Sequence, residues 1–149
     1  MIPAIPAEFD RHRLLLLYKG DISALTLFAQ QANGSVCFPQ PLPALSMALD
    51  DDSGAAAKLT VHPATLVKAI TKLMGFEADL LQAEAGYRQA VDTPGGIVTV
   101  YIARFKLLDP PHRLLQSLDC RLRTLPELRG RPPAEMDLLR RAYETMMEG

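Results

Sequence analysis

Short apolar runs alternate with two segments of helical period along this chain, and the pattern predicts a mixed α/β domain. Two apolar runs, RHRLLLLY and ISALTLFAQ, meet across residues 19–21, Lys-Gly-Asp, a tight-turn signal that predicts a hairpin. The pair Asn33 and Gly34 marks a second turn before the strand-like segment SVCF. The proline-rich residues 39–53 are predicted to form an irregular loop, because proline removes donors from a strand ladder.

The clearest helical period lies in residues 54–76, GAAAKLTVHPATLVKAITKLMGF. We expect this helix to begin between Thr60 and Pro63 and to end at Gly75. One arc is apolar and consists of Leu66, Val67, Ile70, Leu73 and Met74. The opposite arc carries no acid and consists of Thr65, Lys68, Thr71 and Lys72.

The second half of the chain predicts another hairpin and a terminal helix. The runs DLLQAEAGYRQAV and IVTVYIARF flank residues 92–96, DTPGG, and the second run is rich enough in β-branched residues to be a central strand. After a loop at residues 108–111, LDCRLRTLPEL predicts a strand that ends in a turn. The final helix, PPAEMDLLRRAYETMMEG, should pack on the sheet through Met136, Leu139, Tyr143 and Met146.

Composition favours one domain, over residues 1–149, because 48% hydrophobic and 22% charged residues suffice for a single core. The net charge of −1 gives no overall field that attracts nucleic acid or anionic lipid. The longest aliphatic run, Leu14 to Leu17, is too short for a membrane span, so we expect a cytoplasmic protein without a membrane partner. Cys37 and Cys120 are too few for a disulfide framework, and we expect both to be reduced.

The order of the predicted elements is hairpin, short strand, loop, helix, hairpin, strand and terminal helix. This order resembles the Nudix hydrolase fold, an α/β/α sandwich with a mixed β-sheet and a C-terminal helix. The Nudix box of that family is Gly, five residues, Glu, seven residues, then Arg-Glu-apolar-x-Glu-Glu-x-Gly-apolar. Without a gap, the box positions fall on Gly54, Thr60, Lys68, Ala69, Ile70, Lys72, Leu73, Gly75 and Phe76. The following runs, LMGFEADLL and TPGGIVTVYIARF, also resemble the segments after the box.

The resemblance implies an inherited fold without the inherited chemistry. Nudix enzymes use the box glutamates to hold Mg²⁺ or Mn²⁺ against a nucleoside diphosphate, and these hard cations need oxygen ligands. This chain has Ala69 and Leu73 at two acidic positions and Lys72 at a third. We therefore expect no catalytic residue, no bound metal and no cofactor. The degenerate box positions are Gly54, Ala69, Leu73 and Gly75.

Two alternatives to loss of function concern charges near the box. Acids outside it could hold a relocated metal for a divergent hydrolase of nucleoside diphosphate derivatives, although charged loops are usually only solvated. These acids are Asp50, Asp51, Asp52, Glu77, Asp79 and Glu84. Alternatively, Lys68 and Lys72, with Thr60, could contact a phosphate directly, although lysines at this spacing are more often the wet face of a helix.

Other candidate sites are weaker. His12, His62 and His112 have no metal-ligand spacing, and the latter two border prolines, which suggests turn and cap roles. The seven C-terminal arginines are matched by the seven acids between Asp109 and Glu148, so nucleic acid is not a favoured partner.

The sequence therefore predicts a non-catalytic Nudix-like domain that acts as a nucleotide-binding or protein-interaction module. Its expected small-molecule groove lies between the sheet and the loop at residues 39–53. The contrasting hypothesis is a structural protein without a small-molecule ligand that forms a homodimer through Met136, Met146 and Met147.

Overall fold

The computed structural model describes residues 5–21, 24–49 and 61–148. Over these ranges the strands are β1 His12–Lys19, β2 Thr26–Gln30, β3 Cys37–Phe38, β4 Met47–Ala48, β5 Leu81–Ala83, β6 Gln89–Thr93, β7 Gly96–Phe105 and β8 Arg121–Arg123. The helices are α1 Pro63–Met74, α2 His112–Gln116 and α3 Pro133–Glu148, with short 3-10 turns at Ala7–Phe9 and Pro126–Leu128.

The described strands form one eight-stranded mixed sheet in the order β4-β6-β7-β1-β2-β8, with β3 also on β1 and β5 also on β7. Strands β1 and β7 run parallel at its centre, where Leu14 lies opposite Tyr101. The other strand pairs are antiparallel. The prediction that IVTVYIARF lies centrally is confirmed, because β7 contacts β1 on one side and β5 and β6 on the other.

Alternate residues of β1 point into two separate hydrophobic clusters, and each cluster is closed by a helix. Leu14 and Leu16 pack in the cluster that contains Leu66 and Ile70 of α1. The intervening Leu15 and Leu17 belong to the cluster closed by α3, which contributes Leu138, Leu139, Ala142 and Met146. Since successive strand residues face opposite sides of a sheet, α1 and α3 cover opposite faces. The predicted α/β/α architecture is confirmed, whereas the Nudix relationship stays a prediction.

Helix α1 has the predicted bounds, and both ends have a local cause. The His62 imidazole accepts a hydrogen bond from the Ala64 backbone N–H at 3.1 Å, and Pro63 follows at the first helical position. At the other end Gly75 adopts the left-handed conformation with φ +73°, and its N–H bonds back to the last turn. The cap role predicted for His62 is therefore confirmed.

Helix α3 forms as predicted, but its buried face is rotated from the predicted one. Leu139 and Met146 are buried, whereas Met136 and Tyr143 are only half-buried. The residues that complete the buried face are Ala134, Glu135, Leu138 and Ala142. An acid within the buried face breaks the apolar pattern, and for that reason the spacing of apolar residues alone missed the face.

Both predicted hairpins are present, but the connection in the first one is longer than predicted. Strands β1 and β2 pair, but β2 begins only at Thr26, so the predicted tight turn at residues 19–21 is wrong. A longer connection replaces it, in which the Gly20 N–H donates to the Leu25 carbonyl at 2.9 Å, and residues 22 and 23 lie outside the described ranges. The second hairpin turns between Thr93 and Gly96 as predicted.

Several short elements have no counterpart in the sequence prediction. The run DLLQAEAGYRQAV divides into β5 and β6, which pair in succession with the same side of the long β7. Strand β4 forms within the loop predicted to be irregular, and α2 follows the Pro-Pro pair at residues 110–111. None of the helices in the described ranges combines the length and the apolar character required to cross a bilayer.

Candidate functional site

An open groove of about 620 Å³ runs between α1 and β5. One wall consists of successive turns of the helix, through Ala64, Val67, Lys68, Thr71 and Lys72. The opposite wall consists of the segment after the helix and of β5, through Phe76, Ala78, Leu81 and Ala83. The helical positions recur at intervals of three and four, which places them along one stripe of α1. We call this feature the α1–β5 groove.

The floor of the α1–β5 groove is apolar, and a buried hydroxyl lies within its helix wall. Val67, Phe76 and Leu81 are buried members of the core beneath it. Thr71 is also buried, with 8% of its surface exposed, and its Oγ1 has no hydrogen-bond partner among the described residues. Among the described side chains no other buried nitrogen or oxygen lacks a partner. Because an unsatisfied buried hydroxyl costs free energy, this atom destabilises the helix wall of the groove.

Lys68 and Lys72 form the charged rim of the α1–β5 groove. Both side chains are exposed and lie one helical turn apart. Neither lysine forms an ion pair or a hydrogen bond with a described residue. Two positive charges that no described residue compensates therefore lie beside an apolar floor, an arrangement that suits a ligand with an anionic part and an apolar part.

The remaining box positions lie away from the groove or serve the fold. Ala69 and Leu73 are half-buried and pack against the core cluster beneath α1. Gly75 ends the helix in the left-handed conformation. Gly54 and Thr60 lie outside the described residues, so Thr60 has no assigned place beside the lysines.

The acids considered for a relocated metal do not form a cluster in the part of the chain that the structure describes. Glu77 and Asp79 are exposed in the segment that follows α1. Glu84 is half-buried and lines a separate cavity of about 410 Å³ together with His62 and Arg88. No group of three or more described His, Cys, Asp or Glu side chains could hold a metal ion. Residues 50–52 lie outside the described ranges.

The loop expected to border a ligand groove lies beside α3 over its described part. Residues 42–46 line a cavity of about 360 Å³ together with residues 132–135 at the start of that helix. This cavity has neither lysine nor arginine in its lining. The described part of the loop therefore offers no charge for an anionic ligand, in contrast to the α1–β5 groove.

A buried histidine to which the sequence pattern assigns no role connects the N-terminal segment to the start of α1. The His12 Nδ1–H donates to the Glu8 carbonyl at 2.7 Å, and its Nε2 accepts from the Val61 N–H at 3.3 Å. Its ring stacks on Tyr101, with ring centroids 6.4 Å apart. Burial lowers the pKa of His12, and the charge of Arg13 acts in the same direction. No sequence signal identified it, because its partners are backbone groups.

Neither a scan against protein-family models nor a search of curated proteins gives a significant match to this chain. The chemistry of the α1–β5 groove therefore rests on its own residues: two exposed lysines and an apolar floor.

Proposed function

We propose that this chain is a non-catalytic Nudix-like domain that binds an anionic ligand in the α1–β5 groove, as a nucleotide-binding or protein-interaction module. The observation that supports the proposal best is the pair of exposed lysines, Lys68 and Lys72, on the wall of a groove with an apolar floor. Neither ammonium group has a counter-ion among the described residues, so both are donors from which an anion can accept.

The helix chemistry supports the absence of metal-dependent hydrolysis. Ala69 and Leu73 provide only carbon atoms, and the Lys72 ammonium would repel a divalent cation. Because Mg²⁺ and Mn²⁺ require oxygen ligands, α1 has no ligand set for the mechanism that the Nudix resemblance implies. A lysine can instead bind phosphate or carboxylate directly as a point charge.

Thermal unfolding with a panel of anions tests this function. The panel is ADP-ribose, nucleoside triphosphates and poly-glutamate, each measured with Mg²⁺ and with EDTA. A ligand present at a hundredfold excess over its Kd raises the Tm of a domain of this size by about 5 to 10 °C. We expect such a rise for at least one anion, and we expect it to be equal with Mg²⁺ and with EDTA.

The double variant Lys68→Glu/Lys72→Glu should abolish the rise, whereas Arg129→Glu, which reverses an exposed charge at the end of another turn, should retain it. A rise that requires Mg²⁺ and is accompanied by turnover would instead establish the divergent hydrolase. If every anion leaves the Tm unchanged, the proposed binding function is wrong.

A further inference from the structure

We propose that the ligand of the α1–β5 groove is an extended acidic segment of a partner protein, which pairs as a strand with the outer edge of β5. This inference rests on the proposed anion-binding function of the same groove and adds the chemical class of the ligand. The observations that carry it are the pairing of β5, the spacing of the two lysines and the lining of the floor.

Strand β5 pairs with β7 on one side and has no other strand neighbour among the described residues. The hydrogen bonds of the residues on either side of β5 show which backbone groups of this strand face β7. The Leu80 carbonyl accepts from the Lys106 N–H at 2.8 Å, and the Glu84 N–H donates to the Ile102 carbonyl at 3.0 Å. Residues at even positions of the segment therefore direct their backbone groups towards β7, since bonding alternates along an antiparallel strand.

The odd positions, Leu81 and Ala83, consequently direct their N–H and C=O groups away from β7. Both residues line the α1–β5 groove, whereas the Gln82 side chain between them is exposed on the other face of the sheet. An extended segment in the groove could thus accept from and donate to the backbone of β5. Addition of a strand to an exposed sheet edge is a common way in which domains bind peptides.

The spacing of Lys68 and Lys72 matches that of side chains on such a strand. Four residues of helix rise about 6 Å along the axis. Side chains two positions apart on a strand lie on the same face and about 6.6 Å apart. Two acids separated by one residue would therefore each meet one lysine, which predicts an acid-x-acid pattern in the partner segment.

The floor of the groove favours a peptide over a nucleotide. Its lining between the lysines and β5 is small and aliphatic, with Ala64, Val67 and Ala83. Phe76, the aromatic residue of the lining, is buried and packs edge-on against Phe105, so it offers no open ring face for a base. Small side chains permit close approach of a peptide backbone.

Selection from a displayed library of random ten-residue segments provides the first test. We expect the selected peptides to be enriched in acid-x-acid patterns. Fluorescence polarisation should then give binding about tenfold or more weaker when the same two acids are made adjacent, because neighbouring strand residues face opposite sides. An absence of acidic enrichment, or equal binding of the two arrangements, would overturn the inference.

The edge of β5 is tested by Ala83→Pro, which removes an outward N–H without removing a bond to β7. We expect peptide affinity to fall by about tenfold or more, whereas Gln82→Ala on the opposite face should leave it unchanged. Amide hydrogen exchange in the unmodified protein provides a measurement independent of any variant. The Leu81 and Ala83 amides should be protected when peptide binds, and unchanged exchange at both would contradict strand addition.

The panel of anions separates this inference from the proposed function. If nucleotides bind, the double variant Lys68→Glu/Lys72→Glu abolishes that binding, and no peptide is selected, then the anion site is supported and the peptide ligand is wrong. Failure of every nucleotide and every peptide would reject both.

Discussion

The Ser35 hydroxyl donates a hydrogen bond of 2.8 Å to the Glu135 carboxylate, which ties the segment before β3 to the first turn of α3. Glu135 is only 3% exposed. Its other oxygen accepts from Arg131 Nε at 2.9 Å and, at 3.4 Å, from the Val36 N–H. The buried acid thus has a cation and two further donors, which satisfies its charge and fixes α3 against the sheet.

Replacement of this acid should be among the most destabilising changes in the chain. Glu135→Ala leaves the Ser35 hydroxyl and the partly buried Arg131 guanidinium without their acceptor. We expect the free energy of unfolding, measured by urea denaturation, to fall by about 2 to 4 kcal/mol. Glu144→Ala, at an exposed position of the same helix, should change it by less than about 0.5 kcal/mol. Equal effects of the two variants would contradict a structural role for Glu135.

A glycine beside this network is required by its backbone conformation. Gly34 has φ +93°, and a Cβ there would lie 2.7 Å from Arg131 Nη1. Gly34→Ala should therefore cost about 1 to 2 kcal/mol in the free energy of unfolding. Gly86→Ala is the matched control, because its φ is ordinary and the added Cβ would meet Thr145 at 3.7 Å. A loss for Gly86→Ala as large as that for Gly34→Ala would refute this explanation.

Stability should depend on pH through His12. Because burial lowers the pKa of His12 in the folded state, folding favours the neutral ring, which accepts from Val61. Its stabilising contribution is fully present above the unfolded pKa of about 6.5 and is lost as the pH falls below that value towards the lowered folded pKa. Unfolding measured between pH 5 and pH 8 should show this loss.

His12→Gln, which removes the titrating ring, should flatten this pH dependence. If His12→Gln retains the full loss of stability at low pH, another group is responsible.

Removal of the Thr71 hydroxyl should stabilise the fold. Thr71→Val removes a buried hydroxyl that has no partner among the described residues and keeps nearly the same shape, so stability should rise by about 1 kcal/mol. Thr65→Val, at an exposed position of α1, is the matched control and should change stability by less than about 0.5 kcal/mol. A Thr71→Val protein that loses stability would show that the hydroxyl has a structural partner.

The elements predicted correctly from sequence are those with a local cause. Gly75 ends α1 because this position requires a left-handed backbone conformation, which glycine adopts without strain, and Pro63 and His62 determine the start of the helix. The turn between Thr93 and Gly96 follows from its own residues. The lysine pair was also predictable, because helical spacing alone places both on one face.

The features missed from sequence depend on contacts between distant segments. Glu135 resembles the acids that commonly occur in a first helical turn, and its burial depends on Ser35, a hundred residues away in the chain. Thr71 lies on the polar arc of α1, yet the segment at Phe76 and the strand at Leu81 enclose it. The spacing of polar residues on one helix carries no information about what covers it.

The central claim is that the α1–β5 groove binds anions without a metal, and amide NMR in EDTA tests it most directly. Titration with tripolyphosphate, a small polyanion, should shift the amide signals of Lys68, Thr71 and Lys72 together with those of β5. The same titration of Lys68→Glu/Lys72→Glu should leave these signals in place. Shifts confined to other parts of the chain, or shifts that appear only after Mg²⁺ is added, would contradict the claim.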